Sequence, residues 1–261
     1  MSLSDPLSVF DVSGKVVLVT GASGAFGAVA AECLSGAGCK VALAGGNADA
    51  VAEVAGRCSG ETTSLNARPD SEAACDGLVA DTVAAFGRLD ILVVASGMNK
   101  VAKIDEMEPE TFASVMDANV TQSWMMSRAA TGQMKVQGDG GKIVLMSSAR
   151  GLLGHPAGYT AYCASKAAVD GITKALGCEL GPTGITVNAI APTVFRSPLT
   201  AWMFEDTPEA ETVRNGFLTR VPKGRLGEPE DLVGPLLFLA SKASDFYTGH
   251  ILYADGGYTA G

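Results

Sequence analysis

The sequence predicts an α/β fold, with one domain built on a doubly wound, seven-stranded parallel sheet that carries helices on both faces. Short apolar runs of strand length alternate with helix-length segments from one end of the chain to the other, which is typical of right-handed β-α-β units. The length of 261 residues suits one large domain or two small ones. No linker, repeat or low-complexity tract interrupts the alternation, so we expect a single domain.

Seven apolar runs have the length and composition of strands. Most are rich in Val, Ile and Leu, as strands buried on both faces of a parallel sheet are. The predicted strands are Val16–Thr20, Val41–Ala44, Thr63–Asn66, Ile91–Val94, Lys142–Met146, Thr186–Ile190 and Ile251–Ala254.

The segments between these runs have helical patterns. An Ala-rich segment, Ala28–Ala37, follows the first strand. A long helix is predicted from Tyr162 to about Leu180, because that segment is rich in Ala and Leu. In the segment before the fourth strand, apolar residues recur at helical spacing and form one stripe. This stripe consists of Cys75, Val79, Val83 and Phe86.

The connection between Ala191 and Pro229 is too long for an ordinary loop. It contains several prolines and a cluster of large apolar side chains, Trp202, Met203 and Phe204. Long loops in compact domains usually cover or bind a ligand, or else are disordered. We expect a substrate lid at about residues 193–225 rather than an unstructured insertion, and an N-terminal extension at residues 1–9.

The composition excludes several classes of protein. With 19 basic and 28 acidic residues the formal net charge is −9, and no basic cluster is present to follow a nucleic acid backbone. No uncharged run reaches the ~18 residues of a membrane span, and Asp5 and Asp11 precede Lys15, unlike the basic start of a signal peptide. The cysteines have no metal-ligand spacing. We expect a cytoplasmic protein with no metal and no nucleic acid or membrane partner.

A glycine-rich turn between the first strand and the first helix predicts a nucleotide site. Residues 20–27 read TGASGAFG. Gly and Ala allow a sharp turn, and the free N–H groups at the positive end of the helix dipole suit a pyrophosphate. The expected cofactor contacts in this turn are Gly21, Ser23, Ala25, Phe26 and Gly27.

The end of the second strand normally decides between NAD and NADP. An acidic residue there binds the ribose 2′-hydroxyl of NAD, and a nearby arginine accommodates the 2′-phosphate of NADP. Residues 43–47 read LAGGN, so neither charge is present, and Gly24 in the glycine-rich turn supplies none. The pattern favours NAD weakly and leaves NADP open, with Gly46 expected beside the cofactor.

Tyr162 and Lys166 form the candidate catalytic pair. Residues four apart share one face of a helix, with Cβ atoms about 5–6 Å apart. A nearby ammonium favours the phenolate, so we expect Lys166 to lower the pKa of Tyr162 from about 10 toward the range of a useful acid or base. The preceding strand is followed by Ser147 and Ser148, at the sheet edge where ligands of open α/β folds bind. A serine there can donate a hydrogen bond to a substrate oxygen.

These motifs together resemble the short-chain dehydrogenase/reductase family over residues 10–261. Residues 20–27 match the family's T-G-x-x-x-A/G-x-G, and Tyr162 and Lys166 match its Y-x-x-x-K. Ser148, Asn119 and the D-G-G at residues 255–257 stand in the family's order and spacing. The resemblance implies a Rossmann-like fold and an NAD(P)-dependent enzyme that acts on CH–OH groups.

The resemblance implies a catalytic tetrad of Asn119, Ser148, Tyr162 and Lys166. Ser148 would polarise the substrate carbonyl, and Tyr162 would donate its proton in reduction or accept one in oxidation. Lys166 would hold the nicotinamide ribose and lower the tyrosine pKa, and Asn119 would anchor a water that relays protons. Ser148 is preferred to the serine before it because a glycine follows it by three, as in the family pattern.

The resemblance also implies cofactor contacts at positions where the sequence departs from the family pattern. The N-N-A-G after the fourth strand reads VASG at residues 94–97, the aspartate at the end of the third strand is Asn66, and the P-G after the sixth strand reads PT. An amide accepts and donates, so Asn66 can still contact adenine. The other implied contacts are Ala67, Ala95, Ser96, Gly97, Pro192, Phe195 and Ser197, together with Tyr162 and Lys166.

The substrate and the assembly are less constrained. Arg150 and His155 follow the catalytic serine, and Arg196 lies in the lid; an inward-facing arginine would suit a carboxylate or polyhydroxylated substrate. We expect interconversion of a secondary alcohol and a ketone on a sugar, sugar acid or hydroxy acid. A ketoreductase of acyl-carrier thioesters and a non-catalytic nucleotide-sensing protein remain as alternatives. A homo-oligomer, tetramer or dimer, is expected from the resemblance.

Overall fold

Residues 4–198 and 200–261 are described by a computed structural model of the chain. Seven parallel strands form one sheet in the order β3-β2-β1-β4-β5-β6-β7, which confirms the predicted doubly wound, single-domain fold. The strands are β1 (Val16–Thr20), β2 (Lys40–Ala44), β3 (Thr62–Leu65), β4 (Ile91–Val94), β5 (Gly141–Met146), β6 (Ile185–Pro192) and β7 (Ile251–Ala254).

Helices connect the strands and cover the sheet. Side-chain oxygens cap several of them: for example, Asn47 accepts a hydrogen bond from the Ala50 amide, and Ser71 accepts one from the Ala74 amide. The helices in the described ranges are α1 (Ala25–Gly36), α2 (Ala48–Arg57), α3 (Glu72–Phe86), α4 (Pro109–Met116), α5 (Gln122–Gln137), α6 (Thr160–Leu180), α7 (Pro208–Leu218) and α8 (Val233–Ala240).

The strands bury both faces of the sheet, because successive side chains point to opposite sides. Along β1, Val17 and Val19 belong to one hydrophobic cluster, and Leu18 belongs to the other. Helices α1, α2 and α8 contribute side chains to the first cluster, and α3, α5 and α6 contribute to the second. The two layers of helices hold the carboxyl ends of the strands at one edge, where the candidate site lies.

Some boundaries differ from the prediction by a few residues. β3 ends at Leu65, so Asn66 lies just beyond the strand rather than in it, and β6 continues to Pro192. α1 begins at Ala25 instead of Ala28, because the last residues of the glycine-rich turn already form the first helical turn.

The segment between β6 and α8 is more regular than predicted. It contains a 3₁₀ turn, Ala201–Phe204, and the 11-residue helix α7. Thr207 caps α7 by accepting a hydrogen bond from the Ala210 amide, and Pro208 is its first residue, a position where the missing N–H of proline costs nothing. Pro208 therefore starts a helix in the stretch that was expected to be irregular.

The strand order reverses at β1, whose neighbours are β2 on one side and β4 on the other. Connections leave the two sides in opposite directions, which opens a crevice at the carboxyl ends of β1 and β4. The glycine-rich turn follows β1 and residues 95–97 follow β4. Both segments therefore border the same crevice.

Two kinds of feature are absent from residues 4–198 and 200–261, a membrane-spanning helix and a metal-binding cluster. No helix in these ranges is both long enough and apolar enough to cross a bilayer. No cluster of three or more His, Cys, Asp and Glu side chains in them is arranged to hold a metal ion.

Candidate active site

The glycine-rich turn between β1 and α1 is packed so closely against its neighbours that a side chain at either of two glycines would clash with backbone. Gly21 has a φ of +66°, and a Cβ on it would lie 2.6 Å from the amide nitrogen of Ser96. A Cβ on Gly27 would lie 2.1 Å from the carbonyl oxygen of Gly21. α1 begins after Gly24 without a side-chain cap, so its first N–H groups are available to a ligand. The turn fits the pyrophosphate of a dinucleotide.

The loop after β4 packs directly on this turn. The Ala95 amide donates to the Thr20 carbonyl at 3.1 Å, and the hydroxyls of Thr20 and Ser96 are 3.2 Å apart. A Cβ on Gly97 would lie 2.7 Å from Oδ1 of Asn119. The side-chain amides that the family pattern has at this loop are thus replaced by a hydroxyl pair, and the loop keeps its contact with β1.

Asn119 lies in a five-residue π-helical turn, Asp117–Thr121, between α4 and α5. Its side chain is buried, and Oδ1 accepts from the Met98 amide at 2.7 Å. Nδ2 donates to the Met98 carbonyl and to the Ser165 hydroxyl, both at 2.9 Å. Turns of this wider kind recur at functional sites. This one joins the loop after β4 to α6, the helix of the candidate catalytic pair.

Tyr162, Lys166 and Ser148 converge at the carboxyl edge of the sheet. Nζ of Lys166 lies 5.6 Å from the centroid of the Tyr162 ring and donates to the Met146 carbonyl at 2.7 Å. The Ser148 hydroxyl is hydrogen-bonded to the Tyr162 phenol and lies 3.4 Å from the Pro192 carbonyl. Ser148 and Lys166 are only 7% and 6% exposed, so electrostatic interactions among these groups are weakly screened.

Burial raises the pKa of the Tyr162 phenol above its usual value of 10.0, and the hydrogen bond with Ser148 offsets part of this shift. The expectation that Lys166 brings the tyrosine pKa down is therefore wrong for this structure. The cost of removing a phenolate from water exceeds the lowering by Ser148 and by the Arg150 charge. Nζ of Lys166 instead donates to the Met146 carbonyl. Tyr162 is protonated at neutral pH and can act as a proton donor.

Two adjacent serines have different partners. Desolvation lowers the pKa of Lys166 to about 8, and Asp170, one turn further along α6, offsets part of this shift. Burial raises the pKa of Asp170, although the Ser147 hydroxyl donates to its Oδ1 at 2.5 Å. Ser147 is thus held by Asp170, whereas Ser148 faces the phenol and is the serine placed to meet a substrate oxygen.

Residues expected near the nicotinamide form one wall of the crevice. The rings of Phe26 and Phe195 meet edge to face, with centroids 5.8 Å apart. The Ser197 hydroxyl is hydrogen-bonded to the Thr200 hydroxyl at 2.8 Å, which closes a turn just after Phe195. Thr193 stands where the family pattern has glycine, and it fits without strain because no non-glycine residue of the described ranges has a positive φ.

The adenosine end carries a charge that the sequence interpretation missed. A Cβ on Gly46 would lie 2.1 Å from Nε of Arg68, so the expectation that the end of β2 has no nearby charge is wrong. The arginine comes from the end of the neighbouring strand: β2 pairs with β3, and the Gly45 amide donates to the Leu65 carbonyl at 3.1 Å. The predicted adenosine contacts at this edge are Ser23, Gly46, Asn66 and Ala67.

Arg196 and His155, two of the three residues that could have faced the substrate, have partners in the surrounding loops. Arg196 makes two hydrogen bonds to the Glu228 carboxylate, at 2.8 and 3.1 Å. The His155 ring packs on Tyr159 with centroids 4.5 Å apart, and its Nδ1 accepts a backbone hydrogen bond. Burial lowers the pKa of His155, and the Arg150 charge lowers it further. His155 is therefore a neutral loop residue rather than an acid or base.

Arg150 and Arg220 converge on Tyr258, a buried residue that the sequence did not suggest. Arg150 donates to the Tyr258 hydroxyl at 3.0 Å, and the Arg220 guanidinium lies 4.6 Å from the ring centroid. Phe217 of α7 stacks on the same ring at 5.1 Å. The backbone amide of Arg150 also donates to the Ser148 hydroxyl at 3.2 Å, and the charge of its guanidinium lowers the pKa of the nearby Tyr162 phenol.

Comparison with known proteins shows to which family the chain belongs. A family model described as enoyl-(acyl carrier protein) reductase matches residues 21–259. An uncharacterised oxidoreductase of Mycobacterium tuberculosis is 50% identical over 255 residues, which cover 97% of this chain and 94% of that protein. A short-chain type dehydrogenase/reductase from Mycobacterium marinum is 34% identical, with both chains covered over 100% and a TM-score of 0.89. This chain belongs to the short-chain dehydrogenase/reductase family.

Membership confirms the resemblance and makes the protein an oxidoreductase of a family that uses NAD or NADP. Other similar proteins have different substrates in their names. D-threitol dehydrogenase of Mycolicibacterium smegmatis is 34% identical over 99% of both chains, and a 3-oxoacyl-(acyl-carrier-protein) reductase of Rickettsia bellii is 34% identical over 95% and 98%. A candidate 2-deoxy-D-gluconate 3-dehydrogenase from Agrobacterium tumefaciens, solved with bound NADP, is 31% identical over 97% and 99%, with a TM-score of 0.86.

Proposed function

We propose that the protein interconverts a secondary alcohol and a ketone on a small polar substrate, namely a sugar, a sugar acid or a hydroxy acid, with NAD or NADP. The supporting observation is the meeting of the Tyr162 phenol, the Ser148 hydroxyl and the Lys166 ammonium beside the glycine-rich turn. A proton donor, a hydrogen-bond donor and a cation are the groups that stabilise charge developing on a carbonyl oxygen.

Each of these side chains has a distinct task. When bound, the nicotinamide supplies the hydride in reduction and accepts it in oxidation. Ser148 donates a hydrogen bond to the substrate oxygen and holds it next to the phenol. Tyr162, whose raised pKa keeps it protonated, transfers its proton to that oxygen, and Lys166 stabilises the phenolate that remains. Asn119 is proposed to anchor the water through which the proton is replaced.

The charge beside the site favours the acids among these substrates. Arg150 and Arg220 contact Tyr258, and neither has a carboxylate partner within the described ranges. A guanidinium presents a fork of donors that matches a carboxylate. Similar proteins are named for a polyol and for a sugar acid, which agrees with a small hydroxylated substrate. The segment at residues 193–225, which carries Arg220, is proposed as the lid over it.

Turnover is tested by the absorbance of reduced nicotinamide with a panel of sugars, sugar acids, hydroxy acids and their keto forms. We expect at least one of them to be converted, with acids preferred over neutral polyols of the same length. Tyr162→Phe should lower kcat by about 10²- to 10⁴-fold without changing the circular dichroism spectrum or dinucleotide binding. Full turnover by the Tyr162→Phe protein would show that another group moves the proton.

Reduction of 3-oxoacyl thioesters on a carrier protein is the second candidate. The description of the family model and the similarity to the Rickettsia bellii reductase favour it. An acidic carrier requires a basic docking surface, and the lid offers Arg220, Lys223 and Arg225, of which Arg225 is paired with Asp231 at 2.6 Å. A kcat/KM for acetoacetyl thioesters above that for every small acid would favour this candidate. A non-catalytic nucleotide sensor would bind dinucleotide and turn over neither group.

Two further points, the choice between NAD and NADP and the oligomeric state, belong to the proposal. The weak preference for NAD rested on an uncharged end of β2, and the position of Arg68 removes that basis. A homo-oligomer, dimer or tetramer, is proposed from family membership. Trp124 and Val136 on α5, which are 47% and 84% exposed, supply apolar surface for a second copy.

A further inference from the structure

Gly46, just after β2, has no side chain, and the side chain of Arg68 occupies the space where one would lie. A Cβ on Gly46 would lie 2.1 Å from Nε, 2.8 Å from Cγ and 2.9 Å from Cδ of Arg68. The stem of the arginine therefore lies directly over the Gly46 backbone. An acidic residue at position 46, of the kind that binds the ribose hydroxyls of NAD, and Arg68 in its present place exclude each other.

The backbone that carries Arg68 is held in place. The Ala67 amide donates to the Leu65 carbonyl at 3.0 Å, and the Gly45 amide donates to the same carbonyl at 3.1 Å, which ties the ends of β2 and β3 together. Pro69 is buried, and a proline restricts the residue before it to extended backbone. Because this backbone is fixed, only the side chain of Arg68 has to be ordered when it binds a ligand.

Arg68 has no hydrogen bond, ion pair or ring contact with any residue of the ranges 4–198 and 200–261. Every other arginine in the described part of the chain makes a hydrogen bond, an ion pair or a ring contact, but none of these involves Arg68. The acidic residues nearest in sequence, Asp70 and Glu72, are not paired with it either, and Glu72 pairs with Arg128 instead. In a chain with a formal net charge of −9, this guanidinium keeps its full set of donors for an anion.

The Ser23 hydroxyl lies close to the end of β2, near the position that Arg68 occupies. The Ala22 amide donates to the Ala44 carbonyl at 3.0 Å, which brings the glycine-rich turn against the end of β2. Oγ of Ser23 lies 3.5 Å from the Cβ position of Gly45, and it has no hydrogen-bond partner among the described residues. A phosphate over the exposed backbone of Gly46 would lie beside the Arg68 guanidinium, with the Ser23 hydroxyl near the preceding residue.

We propose that Arg68, assisted by Ser23, binds the 2′-phosphate of the adenosine ribose and makes this enzyme prefer NADP(H) to NAD(H). The assignment rests on the proposed function, since it requires a nicotinamide dinucleotide in the crevice. An arginine near the end of the second strand accommodates this phosphate in doubly wound folds, and in this chain the arginine reaches the position from the third strand, across the bare Gly46 backbone.

Adenosine 2′,5′-bisphosphate and adenosine 5′-monophosphate differ only in the 2′-phosphate, and calorimetry measures their binding without catalysis. We expect the wild-type protein to bind the bisphosphate about 10- to 100-fold more tightly, the range for hydrogen bonds to a charged group, and to prefer NADPH to NADH likewise. Arg68→Gln should abolish this preference and leave the affinity for the monophosphate unchanged. Arg68→Lys keeps the positive charge but not the forked donors of the guanidinium. Its preference for the bisphosphate should therefore lie between those of the wild-type protein and Arg68→Gln.

Arg57→Gln is the matched control. It removes an equal charge from the far end of α2, where Arg57 pairs with Glu32 and Glu53, and it should keep the wild-type preference. Gly46→Asp is the reciprocal change: Gly46 does not have a positive φ, and Arg68 is a flexible side chain that can move aside. Its carboxylate should displace Arg68, bind the ribose hydroxyls and turn the preference toward NADH.

The possible outcomes separate the assignment from the function on which it rests. Equal affinity of the wild-type protein for the two adenosine phosphates, or an intact preference in Arg68→Gln, overturns the role of Arg68 while dinucleotide binding and the proposed reaction stand. A wild-type protein that binds neither NADH nor NADPH overturns both.

Discussion

Ser147 and Ser148 follow the last residue of β5 and point to opposite sides, as successive residues of an extended segment do. Ser147 donates to a buried carboxylate, that of Asp170, while Ser148 is hydrogen-bonded to the phenol of Tyr162. The same side-chain chemistry therefore supports α6 at one position and, by the proposed function, the reaction at the next.

Alanine substitutions should separate these two serines. We expect Ser148→Ala to lower kcat/KM by about 10²- to 10³-fold, the cost of one donor to a developing oxyanion, with little change in the free energy of unfolding. Ser147→Ala should instead lower the free energy of unfolding by about 1–3 kcal/mol, because it leaves the buried Asp170 carboxylate without its donor, and retain most of the activity. Steady-state kinetics and urea unfolding measure both effects, and the reverse pattern would exchange the assignments.

Lys166 is a buried side chain whose charged form is disfavoured by loss of solvation. Its pKa falls from 10.5 to about 8, chiefly because it is buried. The folded protein therefore binds this proton less tightly than the unfolded chain does, and the penalty is fully present below pH 8. As the pH rises from about 8 to 10.5, the unfolded chain holds the proton that the folded protein has released, so folding becomes more favourable.

Lys166→Met removes this titration and should expose it by comparison. The free energy of unfolding of the wild-type protein minus that of Lys166→Met should rise by about 3 kcal/mol between pH 8 and pH 10.5, since each pKa unit corresponds to about 1.4 kcal/mol. Denaturant unfolding of both proteins across this range measures the difference, in which titrations common to both cancel. A difference that stays flat, or falls, would show that Lys166 is as well solvated in the folded protein as in the unfolded chain.

At the scale of single elements, the glycine-rich turn shows why residue size matters more than helix propensity. Gly27 and Gly36 both lie in α1, and alanine is the better helix former at either position. A Cβ on Gly27 would meet the Gly21 carbonyl oxygen at 2.1 Å, whereas a Cβ on Gly36 would meet nothing within 4 Å.

The two positions should respond to alanine with opposite signs. Gly27→Ala forces backbone apart, so we expect it to lower the free energy of unfolding by about 1–3 kcal/mol and to weaken dinucleotide binding. Gly36→Ala should stabilise the protein by up to about 1 kcal/mol and leave binding unchanged. Thermal unfolding and titration with dinucleotide test the pair, and a Gly27→Ala protein that binds as tightly as wild type would remove the turn from the cofactor site.

The elements that the sequence predicts well are those with a local cause. Most of the seven strands are apolar runs, so their positions were predicted to within a few residues, and β3, which reads TTSL, was found from the rhythm of the alternation. α7 was missed because Pro208 was interpreted as a break, whereas it begins the helix behind the Thr207 cap. The direction of the Tyr162 pKa shift was wrong because spacing along a helix shows that Lys166 is near but not how deeply both groups are buried.

At the scale of the whole molecule, the residues that sequence reasoning missed are brought together by the sheet order. Arg68 follows β3 and contacts Gly46 after β2, and no spacing along the chain reveals that contact. Tyr258 and Arg150 are separated by 108 residues. Motif residues such as Ser148 and Tyr162 could be found in a linear sequence, but the charges that surround them depend on which strand ends are neighbours in space.

The contact between Arg150 and Tyr258 can form only late in translation. Arg150 leaves the ribosome 108 residues before the ring to which it donates, and at roughly 5–20 residues per second this interval lasts about 5–20 s. β6 is synthesised early in this interval and can pair with β5, whereas β7 and Tyr258 come only at its end. The segment after Ser148 is therefore expected to lack its aromatic support until translation has passed Tyr258.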